Sequence, residues 1–406
     1  MEPPPSRPDA QGPGRDPGPW ESAFRVGRRV PRRSPEPGAP MMGDSGPLPP
    51  APSRATPLVA LSALAGSLLV GGLLLFGALQ LNASQSDASS DGDLDLPFAE
   101  TAYVLGDDLA AYVAFLRSGG PPPDGIPSID DPDFIPASRA RLDPDDIVIG
   151  FAHGGQARAY PQRILVHHEI VNDRVGGLNV AVTYCPLTAT AQGFKRGDTT
   201  LGVSGQLLNS NVVLFDRESG SYFSQINATG LTGQHRGQTL DEVNLIWTTW
   251  GRWLAAYPDT EVLSERTGHL RNYARDPYGS YNPIRGYYGQ EGTMFPVMHR
   301  SDRHPAKEMV VGARTAERSA YFVLAELAQE RMQRTAGFLA VYDSALDTAH
   351  IFDISGAEVR VTPREDGAYE FEGATYSPGD LPLPEVIPVE AFHFAWHAFY
   401  PNSETP

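Results

Sequence analysis

The residue of this sequence with the most distinctive chemistry is a lone thiol. Cys185 is the only cysteine among 406 residues, and it lies in the run TYCPLT at residues 183–188. A single cysteine forms no internal disulfide and completes no multi-cysteine metal site. Cys185 is therefore either a small buried core residue or part of a site in which its thiolate acts as a nucleophile or a metal ligand.

The elements predicted around the thiol are a short helix and a hairpin. The helix covers residues 161–168, which follow a proline and carry apolar side chains on one face. The run RVGG at residues 174–177 indicates a turn, with Asp173 opposite Leu178 and a strand over residues 178–184. The hairpin therefore returns the chain towards the helix.

This hairpin brings ionisable groups to the thiol. In the predicted register, Cys185 lies within two positions of His167 and His168, with Glu169 beside them. A neighbouring imidazole lowers a thiol pKa, and a carboxylate or amide orients the ring. The predicted catalytic residues are Cys185 as nucleophile, His168 as base, and Glu169, which with Asn172 orients the imidazole.

Two other interpretations of the same residues stay open. Cys185, His168 and His167 could instead hold copper or zinc, which thiolate and imidazole ligands suit. Alternatively, His168 is a hydrogen-bonded core histidine and Cys185 a small buried hydrophobe. The sequence does not decide between these three possibilities.

A second polar cluster follows in an apolar segment. Residues 207–215 indicate a strand that Asn209, Ser210 and Asn211 interrupt, and residues 216–221 indicate a turn into a second hairpin. Buried amides and hydroxyls need hydrogen-bond partners, so these groups either support a loop or line a pocket. The predicted ligand-binding residues are Asn172, Asp173, Asn209, Ser210, Asn211 and Asp216.

Tryptophan spacing predicts another short helix. Trp247, Trp250 and Trp253 recur at intervals of three, around a predicted helix over residues 249–256. Helical packing alone produces such an apolar stripe, and a ligand-stacking surface is the alternative.

Residues 58–79 contain 22 residues without a charge. At about 1.5 Å per residue they would span about 33 Å, enough for a bilayer core. They predict a single transmembrane helix, with a cleaved signal peptide as the alternative. Eight Arg precede the segment, and this asymmetry places the N-terminus in the cytoplasm and the remainder outside, at the inner membrane of a cell.

Charge excludes one class of partner. The chain has 49 acidic and 32 basic residues, a formal net charge of −17. Without a basic stripe to displace counterions, nucleic acid is not an expected partner. The lipid bilayer, contacted through residues 58–79, is the only partner that the sequence predicts.

An internal repeat organises the second part of the chain. The first pattern includes Tyr160, Tyr184 and Trp253, and a similar pattern downstream includes Tyr321, Tyr342 and Trp396 in the same order. This alignment sets Cys185 opposite Asp343 and His168 opposite Gln329. Chemistry, if present, is therefore expected in the first copy.

These observations predict an α+β, strand-rich fold of two unequal copies of one antiparallel, hairpin-rich unit outside a single transmembrane helix. The predicted divisions are a disordered Arg/Pro-rich cytoplasmic tail at 1–56, the membrane segment at 57–81, an acidic linker at 82–97, the first copy at 98–268 and a degenerate second copy at 269–406.

Four runs carry a family resemblance. They are ARAYPQRILVHHEIVND, VTYCPLTATAQGF, GVSGQLLNSNVVLFDRESGSYFSQ and TTWGRWLAAYPDTEVL. Together they resemble the bacterial and archaeal family called domain of unknown function 3179, over about residues 128–404. The resemblance marks as typical of that family His168, Glu169, Asn172, Asp173, Cys185, Pro186, Asn209, Ser210 and Asp216. His167 departs from the aromatic residue that the family commonly has there.

The resemblance implies no activity, so three functions are carried forward. The first is a thiol-dependent or metal-dependent site around Cys185 and His168. The second is a small-ligand or partner-binding module of the cell envelope without catalysis. The third is a structural scaffold.

Overall fold

The computed structural model describes residues 96–406. The predicted tail at 1–56, the predicted membrane segment at 57–81 and nearly all of the predicted linker at 82–97 lie outside the described residues. Within 96–406, no helix is long and apolar enough to cross a membrane. The predicted fold class is corrected on this point, because the described chain consists of strands and short helices and contains no transmembrane helix. The bilayer partner and the location stay predictions.

The first part of the described chain, up to residue 263, holds three helices and fourteen strands. The helices are α1 (Leu109–Ala114), α2 (Gln162–Leu165) and α3 (Trp250–Ala256). The strands are β1 (Arg117–Ser118), β2 (Phe134–Pro136), β3 (Ile147–His153), β4 (Gln156–Pro161), β5 (Ile170–Val175), β6 (Leu178–Cys185), β7 (Thr190–Lys195), β8 (Leu201–Leu208), β9 (Asn211–Asp216), β10 (Tyr222–Ser224), β11 (Thr229–Gly230), β12 (Glu242–Val243), β13 (Ile246–Thr249) and β14 (Glu261–Leu263).

The second part holds two helices and twelve strands. The helices are α4 (Leu324–Glu330) and α5 (His393–Phe399). The strands are β15 (Gly279–Tyr281), β16 (Ile284–Gly286), β17 (Met309–Arg314), β18 (Ser319–Val323), β19 (Met332–Arg334), β20 (Phe338–Asp343), β21 (Thr348–Asp353), β22 (Val361–Pro363), β23 (Tyr369–Phe371), β24 (Ala374–Tyr376), β25 (Glu385–Val386) and β26 (Val389–Phe392).

The same succession of elements occurs twice. In the first half, the hairpin β3–β4 leads through α2 into the sheet β12-β7-β6-β5, and β13 then returns to pair with β3 before α3. In the second half, the hairpin β17–β18 leads through α4 into the sheet β19-β20-β21-β25, and β26 returns to β17 before α5. The halves differ after β7, where the first inserts β8 to β11 and the second has the small sheet β22-β23-β24.

Strand register identifies equivalent residues in the two halves. Gly150 pairs with Ala159 in the first hairpin, and Gly312 pairs with Tyr321 in the second. The residue equivalent to Tyr160 is therefore Phe322, one position from the predicted Tyr321. The prediction matched the Ala-Tyr pair that occurs in both hairpins. The hydrogen-bonded pairing of the strands, and not the residue type, decides which positions are equivalent.

A glycine and a tryptophan lock each hairpin to its helix. A Cβ added at Gly150 would lie 2.2 Å from the Trp253 ring, and one added at Gly312 would lie 2.2 Å from the Trp396 ring. Both indoles are fully buried. The helix α3 carries Trp250 and Trp253, but Trp247 lies on β13, so the predicted three-residue stripe on one helix is wrong. The backbone at Trp247 is extended, so the interval of three residues does not place this side chain on the helix.

The loop after β6 in the first half and the loop after β20 in the second each bond to a strand of the other half. Phe392 at the end of β26 donates its N–H to the carbonyl of Thr188 at 2.9 Å. In the opposite direction, the Thr248 hydroxyl on β13 donates to the carbonyl of Leu346. The largest apolar cluster accordingly joins side chains of both halves, including Leu187 and Phe392.

Candidate functional site

Cys185 is the last residue of β6, which lies between β5 and β7 in the sheet β12-β7-β6-β5. The strands β5 and β6 pair with Ile170 opposite Thr183 and Asp173 opposite Val180. The turn consists of Gly176 and Gly177, both with left-handed backbone, φ 54° and 89°. The predicted pairing of Asp173 with Leu178 is therefore wrong by two residues, because the two glycines favour the tightest hairpin connection.

Both ring nitrogens of His168 bond to groups other than this thiol. Its Nδ1 lies 2.7 Å from the Pro127 carbonyl, and its Nε2 lies 2.6 Å from the Tyr273 hydroxyl. A carbonyl oxygen only accepts, so Nδ1 donates. Burial lowers the pKa of His168 to about 4, so the ring is neutral and Nε2 accepts from the Tyr273 hydroxyl. His168 is thus a hydrogen-bonded core residue and not the base predicted for Cys185.

The predicted metal site is also wrong. No group of three or more His, Cys, Asp or Glu side chains in residues 96–406 is placed to hold a metal ion. Both ring nitrogens of His168 are occupied as described, and His167 Nε2 bonds to the Arg275 carbonyl at 3.0 Å. The described structure therefore does not bring the imidazoles and Cys185 together as ligands of copper or zinc.

The group that does influence Cys185 is Glu169. Glu169 has left-handed backbone, φ 59°, in the turn before β5, and its side chain enters different surroundings from those of His168. The Glu169 side chain is buried, and its carboxyl forms no hydrogen bond or ion pair with another described residue. Burial raises its pKa to about 8. Glu169 is therefore mostly a neutral carboxylic acid at pH 7, with a hydrogen to donate.

The thiol itself is in its protonated form. Cys185 is 1% exposed, and its Sγ contacts the Ser210 carbonyl at 3.8 Å. Burial, followed by the charge of Glu169, raises its pKa to about 12. The Thr188 hydroxyl and nearby N–H groups act in the opposite direction and do not compensate. No thiolate is stabilised, so Cys185 lacks the usual property of a nucleophilic cysteine.

A small cavity opens beside Glu169. Its volume is about 40 Å³. Three polar side chains reach it, those of Glu169, Gln206 and Tyr278. Its apolar wall consists of Pro121, Ile126, Leu187, Val203, Leu207, Val212, Met294 and Phe295. Cys185 lies behind this wall, since two wall residues, Leu187 and Val212, are near enough for their N–H groups to affect the pKa of its thiol.

Asn209 and Ser210 form a turn and not the interior of a strand. Both have left-handed backbone, φ 52° and 65°, between β8 and β9. Asn209 donates to the Ala398 carbonyl at 3.0 Å and accepts from the Met298 N–H at 2.8 Å. Ser210 donates to the Phe295 carbonyl at 2.9 Å. These two residues hold the loop that walls the cavity, and the Asn-Ser pair was the turn signal in the sequence.

Asn211 supports the loop after the thiol. Its Nδ2 lies 3.0 Å from Thr188 Oγ1, 3.1 Å from Thr190 Oγ1 and 2.7 Å from Gln225 Oε1. Its Oδ1 accepts from the Ile226 N–H at 3.3 Å. Every polar atom of Asn211 is therefore engaged within the protein, which indicates a structural role.

The remaining predicted ligand-binding residues hold loops elsewhere. Asn172 exchanges hydrogen bonds with the backbone of Leu201, at 2.9 and 3.0 Å. Asp173 accepts from the Tyr160 hydroxyl at 2.7 Å, and Asp216 accepts from Thr199 at 2.5 Å. These three side chains do not line the cavity beside Glu169.

Sequence reasoning missed the tyrosines that close the site. Tyr278 lines the cavity, and the Tyr287 hydroxyl donates to the Leu187 carbonyl at 2.8 Å. Both belong to the segment between the halves, in which Tyr281 and Tyr288 also occur. Four tyrosines within residues 278–288 were the available signal. The segment has no helix or strand periodicity, so nothing connected it to Cys185.

Comparisons with known proteins identify a family for this chain but no activity. A family model described as a protein of unknown function, DUF3179, matches residues 123–403. The matched region is more than half of the chain and includes the whole cavity wall except Gly119 and Pro121. No curated protein and no solved structure matches the chain. The resemblance noted in the sequence is thereby confirmed.

Proposed function

The chain belongs to the DUF3179 family of proteins of unknown function, and from this premise we propose that it binds a small uncharged molecule in the cavity beside Glu169. One observation carries the proposal. A carboxyl with no hydrogen-bond or ion-pair partner among the described residues is buried and lines a mostly apolar cavity. Burying such a group without a hydrogen bond costs free energy, which a ligand that accepts its hydrogen would recover.

The cavity limits the size and charge of the ligand. A water molecule needs roughly 10–15 Å³ of such space, so about 40 Å³ suits a molecule of about three non-hydrogen atoms. The apolar wall disfavours an ion, because an ion would lose its hydration. A carbonyl, amide or similar acceptor matches a protonated carboxyl, and the Tyr278 hydroxyl adds a further polar group.

A thiol-dependent reaction at Cys185 is the second candidate. The charge of Glu169 contributes to the raised pKa of Cys185, so the two groups lie near one another, although no hydrogen bond joins them in the described structure. The raised pKa of the thiol weighs against this candidate, since a reactive cysteine needs the opposite shift. Ligand binding needs no such shift and is therefore preferred.

The proposal is tested with formamide and formate as probes. They have nearly the same shape, but only formamide is uncharged. In ligand-observed NMR with the full chain, formamide should show contact with the protein and formate should not. Glu169→Leu should abolish the formamide signal, because it removes the donor and keeps an apolar side chain of similar length.

A matched control and a second readout make the test decisive. Glu372 also has left-handed backbone, φ 50°, but it is exposed. Glu372→Leu should leave formamide binding unchanged. Infrared spectra at pH 7 should show protonated-carboxyl absorption that Glu169→Gln reduces, the remainder belonging to Glu390, whose pKa burial also raises to about 8. Equal binding of formate, retention of binding in Glu169→Leu, or an unchanged infrared band in Glu169→Gln would each overturn the proposal.

A further inference from the structure

A second and larger concavity lies on the first half, at residues separate from the Glu169 cavity. Its volume is about 380 Å³. This is within the range of small-ligand pockets, roughly 300–1,000 Å³. The start of β3, the start of α2 and the tyrosine-rich segment between the halves form its lining. We call it the interdomain-segment cleft, defined by Asp145, Gln162, Arg275, Asp276, Tyr281 and Arg285.

The polar floor of this cleft is fixed in place. Gln162 is 7% exposed, and its Nε2 donates to the Tyr184 hydroxyl at 3.0 Å and to Asp276 Oδ2 at 2.9 Å. The Tyr288 hydroxyl donates to the same oxygen at 2.9 Å. These bonds set the orientation of the Gln162 amide. Its Oε1 accepts no hydrogen bond from any residue within 96–406, so this acceptor remains for a donor from outside.

The charges around the floor balance. The lining has three carboxylates and three guanidinium groups, Asp145, Asp146, Asp276, Arg163, Arg275 and Arg285. Their formal charges sum to zero, so the cleft does not select a net anion or a net cation. A molecule that carries one group of each sign pairs with both kinds of side chain.

Two of the guanidinium groups are free to bind. Arg163 already pairs with Glu265 at 3.0 Å. Arg275 and Arg285 are exposed, and neither side chain has an ion-pair partner in the described part of the chain. Arg285 belongs to β16, in the hairpin β15–β16 that borders the cleft. A carboxylate in the cleft would therefore meet unpaired guanidinium donors.

Aromatic rings supply the apolar part of the cleft. Tyr273 and Tyr281 line it. Tyr281 is held by stacking on Tyr288, with ring centroids 4.0 Å apart, and by an edge contact with Trp247 at 5.5 Å. Rings held in this way lose little further conformational entropy when a ligand packs against them.

We propose that the interdomain-segment cleft binds a zwitterionic α-amino acid with an apolar or aromatic side chain. The ammonium group is bound by the acceptor Gln162 Oε1 and the carboxylates of the lining. The α-carboxylate is bound by Arg275 and Arg285, and the side chain packs on Tyr281. Both charged ends are required, because the lining has carboxylates and guanidinium groups and each end of the ligand pairs with one kind.

The probes are L-phenylalanine, N-acetyl-L-phenylalanine and L-phenylalaninamide, titrated calorimetrically into the full chain. The acetylated probe lacks the ammonium charge and the amide lacks the carboxylate. L-phenylalanine should bind with a Kd of about 1 mM or lower, and each analogue should bind at least about tenfold more weakly. Absence of L-phenylalanine binding, or an analogue that binds as well, would overturn the proposal.

Variants place the binding in this cleft. Arg275→Gln and Arg285→Gln should each weaken L-phenylalanine binding by about tenfold. Both residues are exposed, so folding is not affected by their replacement. Arg300→Gln is the matched control, because Arg300 is exposed on the same segment but outside the lining. Equal loss in Arg300→Gln, or no loss in either cleft variant, would contradict the assignment.

Discussion

Glu169 and Arg331 occupy equivalent turns of the two halves. Both have left-handed backbone, φ 59° and 71°. The Glu169 carbonyl accepts from the Tyr184 N–H at 2.7 Å, and the Arg331 carbonyl accepts from the Tyr342 N–H at 2.9 Å. The strained turn therefore belongs to the shared architecture and is not a sign of function. What distinguishes the first half is the buried carboxyl that this turn directs inward.

We predict that Glu169 makes stability depend on pH. Its pKa is about 8 in the folded protein against an ordinary value of 4.5. A raised pKa means that the folded state keeps a proton that the unfolded state loses, so the contribution to stability is complete below pH 4.5 and is lost as pH rises to 8. Denaturant unfolding of Glu169→Gln should lack this part of the decline in free energy.

Comparison of variants isolates this effect. Glu390 is also buried, with its pKa raised to about 8, but it accepts a hydrogen bond from Thr348 at 2.8 Å. Glu390→Gln should remove a similar fraction of the pH dependence, and Glu372→Gln should remove none. If wild type and Glu169→Gln decline in parallel between about pH 5 and pH 8, Glu169 is ionised in the folded state.

We predict that Cys185 resists alkylation in the folded protein. The pKa of about 12 leaves about a thousandfold less thiolate than its ordinary value of 9.0 would. Burial excludes the reagent as well. Iodoacetamide labelling at pH 8, followed by mass spectrometry, should occur only at the rate of unfolding and should become fast in denaturant. Rapid labelling of the native protein would favour the thiol-dependent candidate.

Gly150→Ala and Gly312→Ala should destabilise the protein to a similar degree, by about 1–3 kcal/mol each. The added methyl group meets a buried indole in both halves. Gly251→Ala is the control within α3, where the nearest atom lies 3.2 Å from the added carbon. Urea unfolding measures all three. Very different costs at Gly150 and Gly312 would contradict the equivalence of the two hairpins.

The ion pair between Arg314 and Glu242 should be costly to break. It joins β17 of the second half to β12 of the first at 2.9 Å, and both side chains are 1% exposed. Arg314→Met or Glu242→Leu alone leaves a buried charge and should cost about 3–5 kcal/mol.

Two comparisons test that expectation. The double variant should cost clearly less than the sum of the single variants, since neither charge then remains buried. Arg360→Met should cost less than about 1 kcal/mol, because the pair of Arg360 with Glu358 is 86% and 80% exposed. Additive costs at Arg314 and Glu242 would show that the pair contributes no coupling.

Local chemistry explains how far the fold could be predicted. The predicted strand at 178–184 is observed as Leu178–Cys185, and the predicted helix at 249–256 as Trp250–Ala256. Glycine turns and apolar periodicity act over a few residues, so they are legible in a sequence. The helix predicted at 161–168 is shorter, Gln162–Leu165, because residues 166–169 form the turn that reverses the chain.

The site could not be predicted to the same extent. Choosing between His168 and Glu169 as the neighbour of Cys185 depends on the turn at residues 166–169, in which Glu169 has left-handed backbone. Tyr278 reaches the cavity from a segment about a hundred residues away with no periodic pattern. The packing of both halves brings these distant residues together, and no short sequence pattern predicts such a contact.

The exchange of loops between the halves has a consequence during synthesis. The loop of Cys185 is completed by β26, which is made only after about two hundred further residues. Leu187 and its neighbours in the first half therefore stay uncovered until β26 has been made. Contacts between such distant segments form slowly. A chain released before β26 would expose apolar surface of the kind that chaperones and proteases recognise.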